Sequence, residues 1–123
     1  MTIRRTVLVV DDQKGVLSVT RDLLRIGGYS VLQANEGVAA VQITQNQSTK
    51  IDLLLTDIMM PKKGGLLLAR TFRNLRPTLR LLFMSGSATR HEVHDELSGL
   101  TVPVLSKPFT GRELLNMLKE VLT

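Results

Sequence analysis

The sequence contains no cysteine and no tryptophan, and it has only one tyrosine and three phenylalanines. Without cysteine, disulfide scaffolds, thiol catalysis and cysteine-based zinc sites are excluded. The sequence also lacks any apolar run near the ~20 residues that span a membrane. Its basic N-terminal residues precede only a strand-length apolar stretch, unlike those of a signal peptide. We therefore expect a cytoplasmic protein without membrane contact.

The charge is basic, with 16 lysines and arginines against 11 acidic residues and a formal net charge of +5. Such a balance raises nucleic acid as a partner. Six basic residues cluster around one predicted helix and its end: Lys62, Lys63, Arg70, Arg73, Arg76 and Arg80. The phenylalanines fall in or beside apolar runs, so the cluster lacks the stacking surface of single-strand binding proteins. We therefore expect a solvated or protein-docking basic face and no direct contact with nucleic acid.

A length of 123 residues fits one domain with a single core, and we predict that residues 1–123 form that domain. The apolar pattern alternates five times between strand and helix. The predicted strands are Val7–Val10, Tyr29–Ala34, Ile51–Asp57, Leu79–Met84 and Val102–Leu105. The predicted helices are one that ends at Gly27–Gly28, then Gly37–Gln47, Leu66–Leu75, Thr89–Leu97 and Gly111–Leu122. Five such units with right-handed crossovers predict an open, doubly wound α/β sheet.

The third predicted strand, Ile51–Asp57, is apolar along nearly its whole length apart from Asp52. A strand that is buried on both faces has this composition, which predicts a parallel sheet with helices on both sides. The fifth strand contains Pro103, which cannot donate to a ladder. We therefore expect the fifth strand to lie at an edge of the sheet.

Polar residues stand where the predicted strands end. Asp11 and Asp12 follow the first strand, Asp57 ends the third, and Ser85 and Lys107 follow the fourth and fifth. In open parallel sheets, ligands bind outside the carboxyl ends of the strands. The sequence therefore predicts that these five side chains share one site.

The three aspartates of this predicted site create an electrostatic problem. At ~5 Å and an effective dielectric constant of ~20, each carboxylate pair repels by roughly 3 kcal/mol. The single lysine cannot offset three such pairs, so either a carboxylate is protonated or a divalent cation binds. Carboxylate oxygens without histidine or cysteine favour Mg²⁺, or Mn²⁺, over zinc.

Asp57 is the best candidate for a nucleophile in this site. A carboxylate can accept a phosphoryl group to form an aspartyl phosphate. Phosphoryl transfer depends mainly on positioning and on neutralisation of charge, which the Lys107 ammonium and the Ser85 hydroxyl would provide. Taken singly, Asp12 could be a helix cap and Ser85 an ordinary turn residue. All five residues at one edge, in this order, favour the functional interpretation.

The ordered motifs resemble the receiver domains of two-component response regulators. They are Asp11-Asp12, Asp57-Ile58-Met59-Met60-Pro61 with Gly65, Ser85-Gly86 and Lys107-Pro108-Phe109, and they cover essentially the whole chain. The resemblance implies a flavodoxin-like fold with strand order 2-1-3-4-5. It implies that Asp57 accepts a phosphoryl group from a histidine kinase or a histidine phosphotransfer protein, in a phosphorelay that ends at an output protein or domain.

The resemblance also implies roles for single residues. Asp12 and Asp57 would bind Mg²⁺ directly, Asp11 mostly through water, and Met59 through its backbone carbonyl. Ser85 would be the switch hydroxyl and Lys107 would pair with the phosphoryl group. The Lys107–Pro108 peptide bond would be cis, a form that occurs in roughly 5% of X-Pro bonds.

One position departs from the pattern of the receiver family. Many members have an aromatic residue three positions before the lysine, whereas this chain has Val104 there. Without an aromatic ring at this position, a ring flip cannot report phosphorylation. We therefore expect a muted rearrangement of the fifth predicted strand and the fourth predicted helix.

Other functional classes fit the residues less well. A phosphatase of the haloacid dehalogenase class would need a second acid two residues after Asp57, where Met59 stands. We expect a signalling domain that takes part only in its own phosphorylation and dephosphorylation, and not an enzyme with an external substrate. The alternative is a degenerate receiver that acts only as an interaction module. The sequence leaves open the kinase, the output partner, the oligomeric state and whether the domain belongs to a longer regulator or hybrid kinase.

Overall fold

The computed structural model describes residues 4–46, 48–58, 64–86, 92–95 and 100–123. The strands are β1 (Thr6–Val10), β2 (Ser30–Ala34), β3 (Leu53–Asp57), β4 (Arg80–Ser85), β5 (Glu92–Asp95) and β6 (Leu100–Ser106). The helices are α1 (Lys14–Ile26), α2 (Gly37–Gln45), α3 (Gly65–Leu75) and α4 (Gly111–Leu122). None of these helices is long and apolar enough to cross a membrane.

The strands form one sheet in the order β2-β1-β3-β4-β6-β5. The first five of these pair in parallel, so the predicted order 2-1-3-4-5 and the doubly wound α/β fold are confirmed. The strand β3 is buried along its whole length, as its apolar composition predicts. It lies at the centre of the sheet, between β1 and β4.

Alternate residues of the parallel strands build a core on each face of the sheet. On one face, Leu8 and Leu54 belong to a cluster with Ala40 of α2 and Phe72 of α3. On the other face, a second cluster joins strand residues to α1 and α4: Val7, Val9, Leu53, Leu55, Leu17, Leu24, Leu114 and Leu118. Because side chains of a strand point alternately to opposite faces, one apolar strand can serve both cores.

The predicted helix Thr89–Leu97 is wrong where the structure describes it. Glu92–Asp95 form the strand β5, which pairs antiparallel with β6. This segment has no sustained apolar stripe that a helix could bury, whereas strand pairing satisfies backbone groups along the outer edge of β6. The rest of the predicted helix lies outside the described residues.

The fifth parallel strand is therefore not an edge strand, contrary to the expectation from Pro103. The register of β4 with β6 begins at Phe83 opposite Val104, one residue beyond the proline. Pro103 instead stands opposite Glu92 of β5. The missing N–H of Pro103 thus falls outside the ladder with β4.

The start of α4, near the predicted site, has a clear local cause. The hydroxyl of Thr110 accepts a hydrogen bond from the Glu113 N–H at 3.1 Å, and the Glu113 carboxylate accepts one from the Thr110 N–H at 3.0 Å. This capping box satisfies N–H groups that the first turn of α4 would leave unpaired. It fixes the start of α4 just after the segment that contains Lys107.

Candidate functional site

Three aspartates meet at the carboxyl ends of β1 and β3. These strands are neighbours in a register that pairs Val10 with Thr56, so Asp11 and Asp57 follow in adjacent positions. Asp11, Asp12 and Asp57 each have a carboxylate oxygen within 4.8 Å of the others. The structure therefore brings the three predicted carboxylates into one cluster.

The three aspartates differ in their exposure to solvent. Asp11 is completely buried and Asp57 nearly so, while Asp12 is exposed. The Asp11 carboxylate accepts a hydrogen bond from the Gln13 N–H at 2.9 Å. The Asp11 backbone N–H donates to the Ala34 carbonyl of β2 at 3.3 Å. These two hydrogen bonds fix the position of Asp11, whereas Asp12 is exposed to solvent.

The ammonium of Lys107 lies between the two buried carboxylates. Its Nζ donates to Asp11 Oδ2 at 2.8 Å and to Asp57 Oδ2 at 2.9 Å. Burial alone would lower the pKa of Lys107, but the hydrogen bonds and negative charges of Asp11 and Asp57 outweigh it and raise that pKa above its ordinary value of 10.5. We call Asp11, Asp12, Asp57 and Lys107 the acidic pocket.

Ser85 ends β4 at the same edge of the sheet and is buried. Its carbonyl accepts a hydrogen bond from the Lys107 N–H at 2.8 Å, which joins the ends of β4 and β6. The register of β3 with β4 places Asp57 opposite Met84, so Ser85 is one residue beyond the row that contains Asp57. Ser85 therefore lies beside the acidic pocket, next to Lys107.

Two further predictions from the sequence concern the Lys107–Pro108 peptide bond and Met59. The Lys107–Pro108 peptide bond is cis, the isomer that the family resemblance implies. Met59, the expected carbonyl ligand, lies outside the described residues.

The structure shows why position 65 is a glycine. A Cβ atom at this position would lie 2.2 Å from the carbonyl oxygen of Asp57 and 2.8 Å from the Cα atom of Ile58. The Gly65 N–H donates to the Ile58 carbonyl at 3.0 Å. The start of α3 therefore packs directly on the backbone that presents Asp57. Glycine at this point of the motif was the only signal of this contact in the sequence.

The donor set of the acidic pocket suits a small, hard divalent cation. The three carboxylate oxygens lie within 4.8 Å of one another, close enough to surround one cation. Mg²⁺ is usually bound by one or two carboxylates and keeps several waters. Oxygen ligands alone favour Mg²⁺ or Mn²⁺ over zinc.

Comparison with known proteins identifies the class to which this fold and pocket belong. The family model described as the response regulator receiver domain matches residues 7–119. The chain belongs to this family, whose members are signalling domains of two-component systems. Members of the family interact with histidine kinases or phosphotransfer proteins and with output domains, and they bind Mg²⁺ at an acidic pocket.

Curated relatives match nearly all of this chain. It is 31% identical over 117 residues to the sensor kinase CckA of Brucella abortus and 34% identical over 119 residues to the transcriptional regulatory protein CpxR of Escherichia coli K12. The chain spans only 12% of that CckA and 48% of that CpxR. It is also 31% identical to the response regulator receiver protein CpdR of Brucella abortus, and the match covers 96% of this chain and 97% of CpdR.

Solved structures share the fold. The receiver domain of the hybrid histidine kinase CckA superposes with a TM-score of 0.80 at 34% sequence identity, over 96% of this chain and 99% of that one. The chemotaxis protein CheY4 of Vibrio cholerae superposes with a TM-score of 0.83 at 24% identity, over 98% of this chain and all of that one. The second similarity concerns the fold alone.

Proposed function

We propose that this chain is a phosphoacceptor: Asp57 receives a phosphoryl group from a phosphohistidine, in a reaction that depends on Mg²⁺. The observation that supports this most strongly is the position of the Lys107 ammonium, 2.9 Å from Asp57 Oδ2 and 2.8 Å from Asp11 Oδ2. A cation held at the carboxylate is placed to neutralise the charge of a phosphoryl group that arrives there.

The reaction needs few groups from the protein. A carboxylate oxygen of Asp57 forms a bond to phosphorus while the bond from phosphorus to the histidine nitrogen breaks, and the imidazole leaves with the electron pair. Lys107 would pair with one phosphoryl oxygen, and the hydroxyl of Ser85 would donate a hydrogen bond to another. Positioning and charge neutralisation supply most of the rate acceleration in such transfers.

The cation would be held by Asp12 and Asp57 directly, by Asp11 mostly through water, and by the Met59 carbonyl. When bound, Mg²⁺ would offset the repulsion among the carboxylates and the incoming phosphoryl oxygens. Lys107 already contacts Asp11 and Asp57, so the exposed Asp12 is the carboxylate most available to attract the ion.

A groove beside the pocket supports a protein as the phosphoryl donor. It is mostly apolar, has a volume of about 690 Å³ and is lined by Val16 and Val19 of α1 and by Lys107, Pro108 and Phe109. Val19 is 58% exposed. An apolar surface next to a charged reaction centre suits a helix that presents a phosphohistidine, as in a histidine kinase or a histidine phosphotransfer protein.

We also propose that the rearrangement on phosphorylation is muted. Val104 is buried and pairs with Phe83, and valine has no ring that could move between the interior and the surface. Comparison of amide chemical shifts with and without beryllofluoride tests this point. We expect shifts concentrated at the ends of β3, β4 and β6. Large shifts confined to the face of β5 and β6 would contradict it.

Residues 1–123 would form one cytoplasmic receiver domain that switches a partner-binding surface and does not process an external substrate. Proteins that carry such a domain act on an output protein or an attached output domain.

Phosphorylation by a small donor tests the proposal without knowledge of the kinase. The chain is incubated with acetyl phosphate and Mg²⁺, and intact-mass spectrometry detects the added phosphoryl group. We expect labelling that requires Mg²⁺ and disappears in Asp57→Asn, while Asp52→Asn at the opposite edge is labelled normally. Unchanged labelling of Asp57→Asn would overturn the proposal. No labelling of the wild-type chain would favour a degenerate receiver that acts only as an interaction module.

A further inference from the structure

The edge of the sheet opposite the acidic pocket contains a groove rich in arginine. It has a volume of about 380 Å³, and its polar lining consists of Arg5, Asp52, Arg76, Thr78 and Arg80. Arg5 precedes β1, Asp52 precedes β3 and Arg80 begins β4, so these residues come from the amino-terminal ends of three adjacent strands. We call this lining the basic groove.

The cations of the basic groove are not neutralised within the part of the chain that the structure describes. Arg5 and Arg80 are exposed, and their side chains make no ion pair or hydrogen bond with any described residue. Asp52 has partners of its own: its carboxylate accepts the Thr6 N–H at 2.7 Å and lies 3.6 Å from the Lys50 ammonium. The groove therefore has an excess of positive charge.

Arg76 is a fixed member of the basic groove. Its Nη2 donates to the carbonyls of Thr44 at 3.1 Å and Asn46 at 3.0 Å, where α2 ends. The Thr44 carbonyl lies in the last turn of α2, where helix carbonyls lack partners within the helix. The Asn46 carbonyl also accepts a hydrogen bond from the Thr49 N–H at 3.0 Å. Arg76 consequently has a structural role, and its guanidinium is fixed in position. The side chains of Arg5 and Arg80 make no such contact with a described residue.

We propose that the basic groove binds an acidic segment of a partner protein, with Arg5 and Arg80 each pairing with a carboxylate. Two strand spacings of about 4.8 Å separate β1 from β4, and the register sets Arg5 two residues before the row of Arg80. The two arginine backbones therefore lie about 12 Å apart. Guanidinium groups on flexible side chains at this distance can reach neighbouring carboxylates of one segment, and their planar donors match carboxylate geometry.

Nucleic acid fits the basic groove less well than an acidic segment does. No aromatic side chain is among the lining residues, so stacking of bases has no platform there. Asp52 lies between the two arginines, so the acidic groups of the segment would be spaced to pair with Arg5 and Arg80 and to leave Asp52 uncontacted. This site lies away from Asp57 and does not depend on phosphorylation.

The test uses a short, labelled peptide of alternating aspartate and glutamate as the probe, with single-stranded DNA of similar length as the competitor. Affinity is measured by fluorescence anisotropy, and the contact surface is mapped by amide shifts. We expect the peptide to shift the amides of Arg5, Asp52, Thr78 and Arg80. The double variant Arg5→Gln/Arg80→Gln should bind about tenfold more weakly, since it removes two exposed ion pairs.

A second double variant controls for net charge. Lys14→Gln/Arg112→Gln removes the same charge from exposed positions at the starts of α1 and α4. It should bind the peptide within about twofold of wild type, because it leaves the ion pairs of the groove intact. Equal weakening by both double variants, or no shift at the groove, would overturn the proposal. Tighter binding of DNA at the same residues would also overturn the proposal and would identify nucleic acid as the ligand of the basic groove.

Discussion

The carboxyl-terminal edge of the sheet gathers Asp11, Asp12 and Asp57 around one lysine, while the amino-terminal edge presents Arg5 and Arg80 without carboxylate partners among the described residues. Two of the three carboxylates of the acidic pocket are buried, and both accept hydrogen bonds from the Lys107 ammonium. The arginines of the basic groove are separated and mostly exposed. The buried charges of the first edge are therefore suited to stabilising charge in a reaction. The exposed charges of the second edge are suited to pairing with the carboxylates of a partner.

Burial explains why the two edges should respond differently to substitution. A buried charge has lost its hydration, so removal of its partner is strongly felt. An exposed charge remains hydrated and screened by salt, so its loss changes stability little. Three substitutions and one titration test the two edges, from the greatest expected effect to the smallest.

The largest effect is expected for Lys107→Met. The variant removes the cation at Asp57, so phosphorylation by acetyl phosphate should slow by about 100-fold or more, the size of loss seen when one charge-stabilising donor is deleted. The rate is measured by intact-mass spectrometry at saturating Mg²⁺. Lys119→Met, an exposed lysine of α4, is the matched control and should keep the wild-type rate. Equal rates for both variants would remove Lys107 from the proposed reaction.

Gly65→Ala tests the contact between α3 and Asp57. Its Cβ would meet the Asp57 carbonyl oxygen at 2.2 Å, and we expect a loss of about 1–3 kcal/mol in the free energy of unfolding because the backbone must shift. Gly15→Ala is the control: its Cβ meets nothing within 4 Å. As a helical residue, it should stabilise the protein by up to about 1 kcal/mol. Urea denaturation measures both, and a neutral Gly65→Ala would show that α3 can move away freely.

Arg76→Met separates the structural arginine of the basic groove from the exposed ones. It removes the hydrogen bonds to the Thr44 and Asn46 carbonyls, and the free energy of unfolding should fall by about 1–2 kcal/mol. Arg80→Met removes no side-chain hydrogen bond to a described residue. Its free energy of unfolding should therefore stay within about 0.5 kcal/mol of that of wild type. If both variants unfold at the same urea concentration, the end of α2 does not need its arginine.

The smallest effect concerns alkaline pH. Because the pKa of Lys107 is raised in the folded protein, the folded state holds this proton more tightly than the unfolded one. Its contribution to stability is complete below the ordinary value of 10.5 and declines as pH rises through the folded pKa. We expect the stability difference between wild type and Lys107→Met to shrink above that pH, measured with a chelator present. A difference that grows with pH would reverse the sign of the shift.

Much of the fold follows from the sequence pattern because the parallel strands are short, apolar and regularly spaced. An apolar run that ends in a polar residue locates both the strand and its functional end, as with Val10 before Asp11 and Thr56 before Asp57. The position of these residues at one edge then follows from parallel topology. The cluster of carboxylates is therefore predictable from the strand ends alone, and the structure confirms it.

The features that the sequence did not reveal depend on tertiary context. The segment Glu92–Asp95 has no strong pattern of its own, and its strand exists through pairing with β6. The clash that selects Gly65 involves the backbone of Asp57 and Ile58, which no local pattern describes. The α2 end is capped by Arg76 from 30 residues further along the chain.

The ion pair between Lys107 and Asp11 spans 96 positions of the chain. A chain synthesised only to the end of β4 would contain every aspartate of the cluster and lack the ammonium that pairs with Asp11 and Asp57. Such a fragment would face mutual repulsion of its acids without compensation, and its ability to take a phosphoryl group would be incomplete. The proposed transfer to Asp57 would therefore require β6, the last parallel strand along the chain, because β6 leads directly to Lys107.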